Sequence, residues 1–341
     1  MSLKEIFYTA AKTSGCFAMA SRLTHSKLGI LCYHGFSFKD EHLFRPQLFQ
    51  TPDSFENRMR WLKRTGYRAL PLDEAAQRLR KGKLGRKEIV ITIDDGFYSV
   101  AALAAPILSG LGFTATVYVT TYYVLNNNPI FRIALQYLFW KTPRATVACG
   151  DLLPGMDAQS ATKGVGGERT AWKFIEFGEA SLDEPGRMAL ARGLARRLEV
   201  DFEELVASRR LTLLTEAEIT ELSRRGFDIQ LHTHRHRLPE NDRDAKRELD
   251  DNRAVLAPLT GRPLNHLCYP SGVWSQALWP VLEAEGVDTC TTCEPGLNSP
   301  ETPPLAWSRF LDFQYVPQIV FEAEMSGFAH VVRRAVQRWK G

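Results

Sequence analysis

Two carboxylates stand side by side where an apolar run stops. In KEIVITIDDGF, Lys87 to Phe97, the β-forming residues 89–93 lead straight into Asp94, Asp95 and Gly96. A second polar cluster, HTHRH, sets His232 and His236 four residues apart, with His234 between them. A third, CYPSG, follows another apolar stretch at Cys268 to Gly272. Two imidazoles and one Asp from another strand end make a set of two nitrogens and one oxygen. That set leaves a coordination position open on Zn²⁺ or a similar divalent ion. Such a cation would offset the repulsion between the adjacent carboxylates. It also lowers the pKa of a bound water to about 7 and polarises a carbonyl. A neighbouring carboxylate can take the water's proton, and an imidazole can protonate the leaving atom. These are the parts of amide or ester hydrolysis.

Each cluster alone has a plainer reading. A DDG is a common turn after a strand, and Arg235 and Arg237 would suit HTHRH to a solvated loop. The case rests on their shared placement. LGILCYHGF, YRALPL, EIVITI, FTATVYVTT, FDIQLHTHRH, HLCYPSG, VDTCTT and AWSRFLD read as strands. Between them run helices such as DSFENRMRWLKRTG, stopped at Gly66, and TEAEITELSRRG, capped by Thr215 and stopped by Gly226. Repeated βα units imply a parallel sheet, closed as a barrel or doubly wound, whose sites lie at the carboxyl ends of the strands. The three clusters fall on that face. So does His34, which closes LGILCYH. Its imidazole can give a proton at neutral pH, and Gly35 leaves room for a substrate.

The rhythm fails from about 124 to 210. NPIFRIALQYLFW and PGRMALARGLARRLEV read as helices and GDLLPGMDAQSATKGVGGERT as loop, so this stretch is a long insertion between barrel units. Its position on the carboxyl side predicts that it covers the mouth of the barrel. Residues 1–28 read as an N-terminal helical segment, 29–315 as the barrel and 316–341 as a C-terminal helical tail.

The chain has 341 residues, 44% hydrophobic and 24% charged, an ordinary globular balance. Its net charge of +4 is too weak to argue for nucleic acid. Six sparse cysteines read as reduced core thiols, including the CxxC of Cys290 and Cys293. The N-terminal stretch lacks a long apolar region, and no run reaches the ~18 residues of a membrane span. A cytoplasmic location is expected. The tail FAHVVRRAVQRWKG is basic and amphipathic. It fits a helix packed on the barrel or a weak contact with an anionic membrane surface.

TIDDG, HTHRH and CYPSG resemble the first three motifs of the polysaccharide deacetylase (NodB-homology) family, and VDTCTTCEPGLN resembles its later strand and loop. The resemblance spans roughly 29–312 apart from the insertion. It implies an α/β fold, a distorted (β/α) barrel, that hydrolyses acetyl groups from a carbohydrate with a divalent metal, most commonly zinc. Asp95, His232 and His236 would then be the ligands and Asp94 the general base. Tyr269, Pro270 and Ser271 would line the groove, with a backbone N–H of that loop holding the oxyanion. The sequence departs from the family pattern in three places. Cys268 stands where the third motif often carries Arg. The later Asp-Trp motif is not recognisable. The late strand AWSRFLD has Arg309 and no His. CYHGF resembles a rearranged branch in which an early Tyr-His pair supplies the imidazole, and this makes His34 the expected general acid. Trp274 follows the third motif and is a candidate to stack on a sugar ring. Trp140, Trp172 and Trp279 read as core, and His266 as a packed strand residue. The expected partner is an acetylated glycan or glycan precursor. A barrel that binds glycan without turnover, and a deformylase or amidase on a related metal site, are the competing readings.

Overall fold

The computed structural model describes residues 1–153 and 159–340. Eight strands form one parallel sheet: β1 (Gly29–Tyr33), β2 (Arg68–Ala69), β3 (Glu88–Ile93), β4 (Thr116–Val119), β5 (Asp228–Leu231), β6 (His266–Cys268), β7 (Thr289–Thr291) and β8 (Phe310–Leu311). The spatial order is β7-β6-β5-β4-β3-β1-β8. β2 pairs with the first residues of β3, and β4 with its last. A parallel bridge from Thr291 to Trp307 draws the far edge toward the segment before β8. The sheet therefore curls into the distorted (β/α) barrel expected from the motifs. β3 is mostly apolar, with only Glu88 and Thr92 polar, because all six residues are buried: helices cover the outer side and side chains fill the inner one.

Helices α1 (Leu3–Thr13) and α2 (Cys16–Leu23) precede the barrel. α3 (Pro52–Arg64), α4 (Leu72–Arg80) and α5 (Ala105–Leu111) follow the early strands. The insertion contributes α6 (Phe131–Lys141), α7 (Gly164–Ser181), α8 (Glu184–Leu198) and α9 (Phe202–Ala207). The barrel resumes with α10 (Glu216–Arg224), α11 (Asp242–Thr260) and α12 (Trp279–Ala284), and the chain closes with α13 (Gln318–Met325) and α14 (Phe328–Lys340). Thr215 caps α10 as its sequence implied, and Glu218 completes the cap reciprocally.

The GVGGERT segment differs from its sequence reading. It opens α7 instead of continuing a loop, because packing overrides the poor helix propensity of glycine. A Cβ at Gly167 would meet the Thr162 carbonyl at 2.2 Å, and one at Gly178 would meet the Phe131 ring at 2.5 Å. Residues 154–158 of the same loop reading lie outside the described residues. Trp140 and Trp172, expected in the core, stand exposed. The terminal segments pack on each other: Tyr8, Ala11 and Phe17 share an apolar cluster with Ala323 and Ala329.

Candidate active site

The site is assembled from four strand ends. β3 stops at Ile93, and the Asp94 N–H still donates to Tyr33 O, 2.9 Å away, as if the sheet continued. The chain then turns out through left-handed Asp95 (φ 70°) and Gly96 (φ 80°). After β5, His232 is fixed by its N–H donating to Asn252 Oδ1 of α11 at 3.0 Å. Left-handed Thr233 and His236 then fold HTHRH back over the strand end. Left-handed backbone costs a non-glycine residue about 1–2 kcal/mol. Among the described residues, eight non-glycine residues have positive φ, and four of them are Asp95, Thr233, His236 and Ser271. Strain concentrated in this way marks a site whose geometry the fold enforces.

That geometry brings Asp95 Oδ1 to 3.2 Å from His232 Nε2 and 3.3 Å from His236 Nε2. Tetrahedral zinc with bonds of ~2.1 Å separates its donors by about 3.4 Å. The donor set therefore fits such an ion. The His232 Nδ1–H donates to the Cys268 carbonyl at 2.8 Å, which turns Nε2 toward Asp95. Burial opposes ionisation of Asp95, but its two histidine partners hold its carboxyl well below the usual range. His234 points away and hydrogen-bonds Thr121 Oγ1 at 2.8 Å.

Asp94 has a different partner. The buried Arg309 guanidinium grips it with a fork, Nη1 to Oδ1 at 2.7 Å and Nη2 to Oδ2 at 2.8 Å. The Cys268 and Cys32 thiols, kept protonated by burial, approach Oδ2 at 3.2 and 3.5 Å. Burial raises the Asp94 pKa, yet Arg309 and His34 outweigh it and hold the group far below its ordinary value. Asp94 therefore has its own counter-charge in Arg309, whereas the sequence implied one cation for both carboxylates. The sequence does not show that Arg309 is the partner of Asp94. The signal was available, because Cys268 removes the expected Arg and a buried Asp94 then needs a cation from elsewhere.

His34 lies just beyond β1 with Nε2 3.8 Å from Asp94 Oδ2. It borders the cavity described below and does not enter the core. Burial lowers its pKa, while Asp94 and Asp95 partly restore it. In the third motif, the Tyr269 N–H is committed to Thr291 O and the Gly272 N–H to Tyr269 O. Pro270 has no N–H. Ser271, which faces the cavity, is thus the one residue of this loop whose amide has no acceptor among the described residues.

A cavity of about 680 Å³ opens over these groups, a size typical of ligand sites. Its floor holds His34, Asp94, Asp95, His232 and His236. The insertion supplies much of the wall, including Ile130, Arg132, Glu179 and Arg187. Tyr269 borders the cavity, but its phenol is buried and donates to Leu305 O at 2.9 Å. Two expected substrate contacts are not found. Pro270 is buried and does not line the cavity. Trp274 is also absent from the lining: it stacks on Trp279 at 5.9 Å and 9°, and its indole N–H donates to Glu294 at 3.1 Å. Of the CxxC pair, both free thiols, Cys290 is buried and Cys293 borders the cavity. His266 is packed, as expected, between Thr289 and Asp73.

A model of the polysaccharide deacetylase family matches residues 196–290. No relative among the curated proteins matches the sequence. The fold is similar to that of the Streptococcus pyogenes deacetylase PplD in complex with acetate, at 17% identity and a TM-score of 0.58, covering 88% of this chain and 98% of that one. It is similar to a de-N-acetylase from Aggregatibacter actinomycetemcomitans, at 13% identity and a TM-score of 0.56, covering 87% and 99%. It is also similar to IcaB from Ammonifex degensii, at 16% identity and a TM-score of 0.54, covering 88% and 97%. The family match thus covers one segment that includes HTHRH and CYPSG, and the solved structures share the fold.

Proposed function

We propose that the protein is a metal-dependent carbohydrate deacetylase. Asp95, His232 and His236 hold one divalent ion, with zinc the best fit to two imidazoles and a carboxylate. The observation that carries this reading is the pair of 3.2 and 3.3 Å donor separations around Asp95, beside a second carboxylate with its own partner. When bound, the ion polarises the acyl carbonyl and makes a coordinated water acidic. Asp94 takes the proton. The Arg309 fork fixes its orientation and keeps it ionised at working pH. The Ser271 N–H holds the oxygen on which negative charge develops. His34 gives the proton to the leaving sugar atom, within reach of Asp94 at 3.8 Å. The insertion sets which glycan enters. The six free cysteines suit a reducing compartment, and we place the protein in the cytoplasm acting on a glycan precursor in cell-surface glycan assembly. Among the described residues, no helix is long and apolar enough to cross a membrane.

Acetate release from a panel of acetylated oligosaccharides and sugar precursors tests the proposal, with metal content measured on the same sample. Release that requires the ion supports it. Glycan binding without release would give the barrel a recognition role, and formate release from formylated sugars would make it a deformylase.

A further inference from the structure

The end of the barrel opposite the cavity carries a second surface. α1 and α2 lead into β1, and α13 runs back to the same end, where the Tyr67 hydroxyl donates to Met325 O at 2.7 Å just before β2. The length of β3, six residues at ~3.3 Å each, sets this end roughly 20 Å from Asp94 and Asp95.

The helices there expose apolar stripes instead of burying them. In α1, Leu3, Ile6, Phe7 and Ala10 follow helical spacing on the side away from buried Tyr8 and Ala11, and Leu3 is 87% exposed. Met19 and Leu23 extend the stripe on α2. In α14, Ala335, Val336 and Trp339 repeat the spacing beside half-buried Val332, and Trp339 is 90% exposed. The stripes are neighbours: the rings of Phe7 and Phe328, at the start of α14, lie 5.8 Å apart, and Phe17 of α2 is 5.1 Å from Phe328. Exposed apolar side chains gathered in one place mark an interaction surface.

The charges around it select the partner. Lys12 and Arg333 are paired with Glu322 and Glu324. Lys4, Arg22 and Arg334 enter no ion pair among the described residues. A second copy docked by two-fold symmetry would set this patch against itself and bring like charges together. An anionic bilayer meets both demands: its acyl boundary takes the apolar stripe and its headgroups take the cations.

We propose that α1, α2 and α14 form a docking face for an anionic lipid surface, with the catalytic mouth turned away from the bilayer. The sequence pointed only to the C-terminal helix. The structure adds the N-terminal pair and makes the contact a composite of both termini.

Co-sedimentation with vesicles tests it directly. The full chain should pellet with mixed phosphatidylglycerol–phosphatidylcholine vesicles, stay in solution with pure phosphatidylcholine, and be released by salt. Lys4→Glu with Arg22→Glu should cut partitioning by about tenfold or more, since each basic residue near the surface is worth roughly a fivefold change. Phe7→Glu with Leu23→Glu should abolish it, and thermal unfolding would confirm that these exposed substitutions leave the fold intact. Wild type remaining in solution with anionic vesicles overturns the proposal, as does pelleting that neither double variant alters. A concentration-dependent dimer dissolved by Phe7→Glu with Leu23→Glu, without vesicle binding, would assign the face to a second copy instead.

Discussion

On the floor of the cavity, the reactive groups hang close to strand ends. Asp94 and Asp95 follow β3, His232 follows β5, His34 follows β1, and Arg309 immediately precedes β8. Strand pairing and left-handed turns fix them, and most are buried. The wall supplied by the insertion is different. Ile130, Arg132, Glu179 and Arg187 lie on or beside helices that pack mainly on each other, and Arg132 is tied to Glu179 at the surface. The floor is where small displacements should cost chemistry, because its geometry is over-determined. The wall can change without disturbing the floor, so it is where recognition can vary.

The comparison yields separable outcomes. The largest effect belongs to the floor. Asp94→Asn should keep the ion and lose about 10²–10⁴ in kcat on every substrate, whatever its size. A loss confined to one substrate would break the distinction. His34→Ala should also keep the ion and lose on the order of 10²-fold in turnover, the lower end of general acid catalysis. Full activity in that variant would send the proton elsewhere. Arg309→Met tests the floor through stability. It leaves Asp94 as an unpaired buried charge and should cost about 3–5 kcal/mol in denaturant unfolding. The sign in pH follows. Asp94 is depressed in the folded state, so its contribution is present above its unfolded pKa and is lost as pH falls through the folded one. The variant should therefore show a weaker acid-induced loss than wild type.

The wall should answer differently. Arg45 lies outside the insertion but borders the cavity beside it, hydrogen-bonds Gln136 of the insertion at 2.5 Å and has no carboxylate partner among the described residues. Arg45→Gln should change KM a few-fold, about 1 kcal/mol, while kcat and metal content hold. Shortening the insertion should alter substrate choice with metal binding intact. A loss of metal in either case would join wall to floor and sink the division.

A milder effect lies at the opposite end of the barrel. Burial, with Lys27, Arg333 and Arg334 nearby, brings the His330 pKa down from 6.5 to about 4. The unfolded chain takes its proton first, so stability should fall as pH drops from 6.5 toward 4. His330→Gln should flatten that slope by on the order of 1–2 kcal/mol, read from urea unfolding at several pH values.

The floor was mostly legible because its parts are local. A six-residue buried strand announces itself as β3, and DDG and HTHRH carry the candidate ligands within five residues. What escaped depends on distance in sequence. Arg309 reaches Asp94 across 215 positions, and nothing in AWSRFLD says where its guanidinium goes. Trp274 looked free to stack on a sugar because the sequence does not show that Trp279 occupies its face. In the wall, α7 was hidden by glycines whose reason is a neighbour's ring and a neighbour's carbonyl. Residues 1–28 were legible only as a helical segment, because whether an apolar face of α1 is covered is decided by the rest of the fold.

The division between the two carboxylates is the centre of the account, and zinc titration of the metal-stripped protein tests it most directly. Wild type and Asp94→Asn should each bind one ion per chain, whereas Asp95→Ala, His232→Ala and His236→Ala should lose stoichiometric binding. Loss in Asp94→Asn, or retention in the three alanine variants, would contradict it.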